Sequence, residues 1–185
     1  MERKTFSEDP CSIARSLDVL GDWWVPLIIR ECLYGVRRFD DLHRGLGIGR
    51  NLLTRRLNQL VEQGVLERKP YQEGQGRQGY HLTEKGYDAA GVVVAMMPFG
   101  EKWQFDGQLE PTRLFDRQTG RRVRPVLVDE VTGAPLDPRS IYAGPGPSFP
   151  QDETLREARF VEYYSRSRDA PDEMPEEPPW DPGID

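Results

Sequence analysis

The stretch Gly49-Arg50-Asn51-Leu52-Leu53-Thr54-Arg55-Arg56-Leu57-Asn58-Gln59-Leu60 decides how the chain is read. Leu53, Leu57 and Leu60 stand at i, i+4 and i+7, so on a helix they share one face. At about 100° per residue, Asn51, Arg55 and Asn58 point the opposite way, with Arg50 and Thr54 on a flank. An ordinary solvated face mixes Glu with Lys, whereas here the first acid comes only at Glu62. Arg matches the paired acceptors of a guanine edge, Asn matches adenine, and Thr suits a phosphate or a thymine methyl. These side chains fit a helix that enters the DNA major groove. A plain surface helix with a chance run of arginines is the competing reading, and the neighbouring sequence weighs against it.

Upstream, Cys11 to Leu20 reads as a short helix with Ile13, Leu17 and Leu20 on one side, ended by Gly21. Asp22 is the expected N-cap of a second helix, Trp23 to Leu33, which tolerates Pro26 in its first turn. That helix is apolar nearly all round, so it belongs in the core. Tyr34 to Arg38 is a connector, and its Arg38 joins the candidate DNA contacts. Phe39-Asp40-Asp41-Leu42-His43-Arg44 opens a third helix with Asp40 as its expected N-cap. A Gly-rich turn, Gly45 to Gly49, leads into the proposed reading helix. Helix, tight turn and polar-faced helix make a helix-turn-helix.

Downstream, Gly64 closes the reading helix. Val65 to Tyr71 and Gly79 to Leu82 read as two strands joined by the loop Glu73 to Gln78. Arg77 at the loop tip is either a phosphate or minor-groove contact or part of an ordinary surface hairpin. Thr83 caps a helix running toward Trp103, which Pro98 should kink or end. Its segment Ala89 to Met97 is apolar on more than one face. One such face serves its own core; the second favours a symmetric dimer over a fully buried monomer helix.

The composition looks wrong for a DNA binder until it is divided. The 185 residues carry a net charge of −6. From Gln151 onward there are eleven acids against four arginines, −7, which leaves +1 for the rest. Between Arg37 and Arg77 nine Lys/Arg face five Asp/Glu, so positive charge gathers around the reading helix. No apolar run is long enough to span a bilayer and no signal-peptide core begins the chain, so a cytoplasmic protein without membrane contact is expected. Cys11 and Cys32 make no disulfide framework and lack metal-ligand spacing. No Ser/His/Asp or Cys/His set has interpretable spacing and no Gly-Lys-Ser/Thr loop is present, so no enzyme and no cofactor is expected.

Phe39-Asp40-Asp41-Leu42, Asn51-Leu52-Leu53-Thr54-Arg55-Arg56-Leu57, Gly64-Val65-Leu66-Glu67-Arg68 and Tyr80-His81-Leu82-Thr83-Glu84-Lys85-Gly86, with the Trp-bearing helix before them, form a collinear string from about Cys11 to Trp103. The string resembles the HxlR-type winged helix-turn-helix regulators, relatives of the MarR group. The resemblance implies a mainly α fold with a small β wing, and a homodimeric transcription factor on a two-fold operator, read here as a repressor. It assigns DNA reading to Arg50, Asn51, Thr54 and Arg55, with Asn58 on the same face, and the wing role to Arg77. Cys11 stands where several family members keep a cysteine, which in some senses electrophiles or oxidants. A helix N-terminus favours a thiolate there, whereas Glu8 and Asp9 oppose it; a packing residue is the simpler reading. Trp23, Trp24, Met96 and Phe99 are candidates for an apolar effector pocket, weighed against plain core. The alternative function is a winged-helix protein-interaction module without DNA binding.

The expected organisation is a DNA-binding and dimerisation domain over 1–104, a small β-rich extension over 105–150, and a short helix with an acidic, Pro-rich disordered tail over 151–185. Within the extension, Asp116-Arg117-Gln118-Thr119-Gly120 and Asp129-Glu130-Val131-Thr132-Gly133 repeat the pattern Asp-x-x-Thr-Gly. This reads as a metal-free analogue of paired zinc-ribbon knuckles, or as two unrelated β-turns.

Overall fold

Local signals set the helix ends along the first hundred residues. The computed structural model describes residues 5–9, 11–70, 78–105 and 112–141. Helix α1 runs Ser12–Leu20, and the Gly21 N–H closes it on the Leu17 carbonyl. Helix α2 spans Trp24–Leu33 with Pro26 in its first turn, and the Asp22 carboxylate accepts from the Trp24 N–H at 3.0 Å. Helix α3 is Phe39–Leu46 and ends on left-handed Gly47 (φ 65°). The proposed reading helix is α4, Arg50–Glu62. Past its end Gly64 sits at φ 68°, its N–H reaches the Val61 carbonyl, and the Val65 N–H reaches that of Leu60. These two bonds satisfy orphan carbonyls, and only glycine takes that backbone without strain.

The expected capping by Asp40 does not occur. Helix α3 starts one residue earlier, after an extended Arg38 that makes no side-chain cap bond. Asp40 therefore lies inside the first turn, where its carboxylate is free to point at another helix.

The wing pairs β1, Leu66–Pro70, antiparallel with β2, Gln78–Leu82, in the register Leu66 to Leu82 and Arg68 to Tyr80. Its tip, including Arg77, lies outside the described residues, as does everything expected beyond residue 141. Thr83 caps α5, Glu84–Ala95, by accepting from the Gly86 N–H at 3.1 Å, as its sequence position predicts. The chain breaks at Met96, and α6, Met97–Trp103, carries Pro98 in its first turn. Pro98 cannot donate a helix hydrogen bond, which accounts for the break.

The core lies beneath the reading helix. Leu53, Leu57 and Leu60 of α4 are fully buried, against Val25, Ile28 and Ile29 of α2. Leu42, Ile48, Leu66 and Leu82 complete it. Burying each such side chain stabilises the fold by about 1.5–3 kcal/mol. By contrast α1 buries no residue: Ile13 is 75% and Leu17 45% exposed.

The chain divides into two units, Met1–Val126 and Leu127–Asp185. Late in the first, β3 (Leu114–Phe115) pairs with β4 (Arg122–Val123). The β-like stretch expected over Arg122 to Val128 is cut short at Val123, because Pro125 follows closely and lacks an N–H to donate. In the second unit Val128 forms an isolated bridge to Pro135, and a 3₁₀ turn covers Pro138–Ser140. The repeated Asp-x-x-Thr-Gly pattern folds the same way twice. Asp116 accepts from the Thr119 N–H at 2.7 Å and hydroxyl at 2.6 Å, ahead of Gly120 at φ 67°. Asp129 accepts from both Thr132 groups at 2.7 Å, ahead of Gly133 at φ 66°. Each is a four-residue loop whose last position needs a left-handed backbone.

Candidate nucleic-acid interface

Three buried leucines fix the rotation of α4, and with it the side that faces solvent. Asn51, Thr54 and Arg55 are exposed on that side. Among the described residues, Asn51 and Arg55 make no side-chain hydrogen bond or ion pair. Thr54 donates its hydroxyl to the Arg50 carbonyl at 2.9 Å, so its methyl is what it offers outward. Asn58 is half-buried, and its Oδ1 accepts from Arg68 Nη2 at 2.5 Å. That bond leaves the Asn58 amide chiefly a donor.

Arg50 opens α4 and is gripped from two directions. Its Nη2 lies 3.1 Å from Asp40 Oδ1, and its guanidinium carbon lies 4.9 Å from the centre of the Phe39 ring. Arg38 lies on the α3 side, 4.0 Å from Asp41, which also meets Arg44 at 3.6 Å. Positive groups thus lie near both neighbours of α4 in the chain: Arg38 and Arg44 at the two ends of α3, and Arg68 on β1, which bonds Asn58.

Arg68 and Lys69 were not among the residues singled out from the sequence. Their signal was available in the adjacent basic pair on a predicted strand. Which of them faces α4 depends on the strand's register: Arg68, opposite Tyr80, stacks 5.8 Å from that ring while bonding Asn58. Lys69, on the other side of the strand, pairs with Glu67 at 2.6 Å. Burial and then Arg37 hold the His81 imidazole on β2 below its ordinary value, so it takes up a proton less readily than a free histidine.

Arg56 turns away from the exposed face of α4 and joins the scaffold. Its Nη2 meets Asp22 Oδ2 at 2.5 Å, with both side chains mostly covered. Asp22 therefore caps α2 with one oxygen and holds α4 with the other. At the end of α4 the Gln63 amide donates to the Asp18 carbonyl at 3.3 Å, adding a tie to α1.

The remaining candidates are scattered. Cys11 is half-buried at the N-cap of α1, with its N–H on Asp9 Oδ1 at 2.9 Å. Cys32 is fully buried in the core, where burial pushes its thiol up to about 12, so it stays protonated. Trp24 is half-buried against the core, whereas Trp23 is 91% exposed. Met96 and Phe99 lie exposed along α5–α6 with Val92 and Trp103, all at 54–64%. Among the described residues no group of His, Cys, Asp and Glu is placed to hold a metal. No described helix is long and apolar enough to cross a membrane.

Comparison with known proteins agrees with the winged helix-turn-helix fold. The family profile described as HxlR-like helix-turn-helix matches residues 19–108. A Mycobacterium tuberculosis protein described as an uncharacterized HTH-type transcriptional regulator (Rv3095) is 37% identical over 138 residues, covering 75% of this chain and 87% of its own. A Synechocystis protein with the same description (sll1512) is 36% identical over 94 residues, 50% of this chain and 70% of its own. Among solved structures, PA1607, a candidate transcription factor, shares 33% identity at a TM-score of 0.69, covering 77% of this chain and 100% of its own. A candidate transcription factor from Pseudomonas aeruginosa (PA1374) shares 39% identity at a TM-score of 0.53, covering 80% and 99%.

Proposed function

This chain belongs to the HxlR-like helix-turn-helix family of transcriptional regulators, and from that premise we propose that it acts as a homodimeric repressor on a two-fold symmetric operator. The observation that carries the reading is the outer face of α4. Asn51 and Arg55 stand there uncommitted, on a helix whose rotation is locked by Leu53, Leu57 and Leu60. Arg50 and Thr54 flank them, Asn58 and Arg68 extend the surface toward the wing, and Arg38 and Arg77 supply backbone contacts.

Dimerisation is supported by the row Val92, Met96, Phe99 and Trp103. These exposed apolar groups follow one another from α5 through the break at Met96 to α6, and a second copy of the chain would cover them. Ile13 and Leu17 of α1 are exposed in the same unit. Two copies related by a two-fold axis would set their reading helices roughly 34 Å apart, in successive major-groove turns. An apolar effector would need the second copy of the chain to bring Trp23, Trp24, Met96 and Phe99 around one cavity. Cys11, the only thiol of the two that is not fully buried, is the candidate for redox control.

The test is selection of genomic duplexes with the purified protein, followed by affinity measurement across a salt series. Affinity should fall steeply with salt through counterion release. Arg55→Ala should cost about 1–3 kcal/mol and relax preference at one base pair. Indifference to every duplex at low salt would overturn the reading in favour of a protein-interaction module.

A further inference from the structure

Asp40 is an acid on the surface that should face the most anionic of partners. It lies in the first turn of α3, where it caps nothing, and reaches across to Arg50 of α4 at 3.1 Å. Both side chains are more than 60% exposed, so the pair contributes little to folding. Beside phosphates an exposed carboxylate would weaken binding. Its placement therefore calls for a reason other than stability or general affinity.

The reason lies in what the first two residues of α3, Phe39 and Asp40, do to one guanidinium. Phe39 is half-buried against the core and its ring also stacks on His43, with centroids 6.4 Å apart and planes 10° from parallel. It is thus a fixed platform, and Arg50 lies over it at 4.9 Å. Asp40 Oδ1 stands 3.1 Å from Nη2 as an ion pair. Face and edge of the guanidinium each have a neighbour, and its N–H groups stay open to solvent. A free arginine side chain carries about 2 kcal/mol of rotamer entropy that it would lose on docking to a base. Here the ring and the carboxylate bias that freedom toward one orientation before DNA arrives, the arrangement by which preorganisation raises selectivity.

We propose that Phe39 and Asp40 are positioning residues that set sequence specificity, holding Arg50 for bidentate contact with a guanine edge. The inference rests on α4 being the reading helix. Arg50 stands at the helix N-terminal end, where recognition helices approach base edges. Asp40 supplies orientation at the expense of a mild repulsion that is the same for all sequences.

The experiment uses the full chain, a selected duplex, and versions of it substituted one base pair at a time. Arg50→Ala should abolish preference at one G·C pair. Asp40→Asn should lower discrimination at that same pair by about fivefold or more, against the tenfold or greater preference a bidentate contact provides. Asp40→Glu should retain most of it, and Phe39→Leu should reduce it. Asp41→Asn removes the same charge one residue away and should raise affinity for every duplex without altering preference. Unchanged thermal melting of the Asp40 variant would show that folding is not the cause. If Arg50→Ala shows the position-specific loss but Asp40→Asn behaves like Asp41→Asn, the positioning role is wrong and the reading helix stands. If Arg50→Ala weakens all duplexes equally, Arg50 contacts phosphate and its role as a base reader fails along with the inference.

Discussion

Single residues carry more of this fold than their size suggests, and Gly86 is the clearest case. Its N–H completes the Thr83 cap. A Cβ added there would overlap the Val65 carbonyl oxygen and press on the Leu82 side chain. The carbonyl is backbone between helix α4 and the wing, so it cannot swing aside as a flexible side chain would. Gly86→Ala should therefore destabilise the protein by about 1–3 kcal/mol, the range for overpacking, despite alanine's better helix propensity. Urea unfolding at fixed protein concentration measures it; a neutral or stabilising result would mean that α5 shifts freely on the wing.

Elements are held in place by pairs that join distant parts of the chain. The Asp22–Arg56 pair ties the middle of α4 to the start of α2. Partly covered, it should contribute between an exposed and a buried pair, and Arg56→Met should cost about 1–2 kcal/mol. A double-mutant cycle with Asp22→Ser, which keeps a cap for α2, should give a coupling of about 1 kcal/mol. DNA base preference should survive Arg56→Met, since Arg56 is off the reading face, in contrast to Arg55→Ala. A change of preferred sequence in the Arg56 variant would show that the pair sets the tilt of α4 as well as its stability.

At the scale of the molecule, the two reading helices of the proposed dimer are useful only at a fixed separation. Phe99→Glu places a charge in the middle of the apolar row Val92, Met96, Phe99 and Trp103. It should raise the dimer dissociation constant by about 100-fold or more, the cost of losing a central aromatic contact and burying a carboxylate. Sedimentation would report a monomer at micromolar concentration, and operator affinity should fall with it. A dimer that persists would place the interface elsewhere.

The elements of the winged helix were legible along the chain because their causes are local. The leucine spacing of α4, the Thr83 cap, the break at Pro98 and the left-handed Gly64 each depend on residues within a turn or two. Even the twin Asp-x-x-Thr-Gly loops follow from five consecutive residues. Side-chain partners were not legible in this way. Asp40 looked like a cap and instead holds Arg50. Arg56, adjacent to a predicted reader, turned inward to Asp22. Arg68 reached Asn58 and Tyr80 only because the strand register put it there. Period and capping fix where a helix begins and which face it buries. Which charges meet depends on how two helices cross, and that is set by packing among residues far apart in sequence.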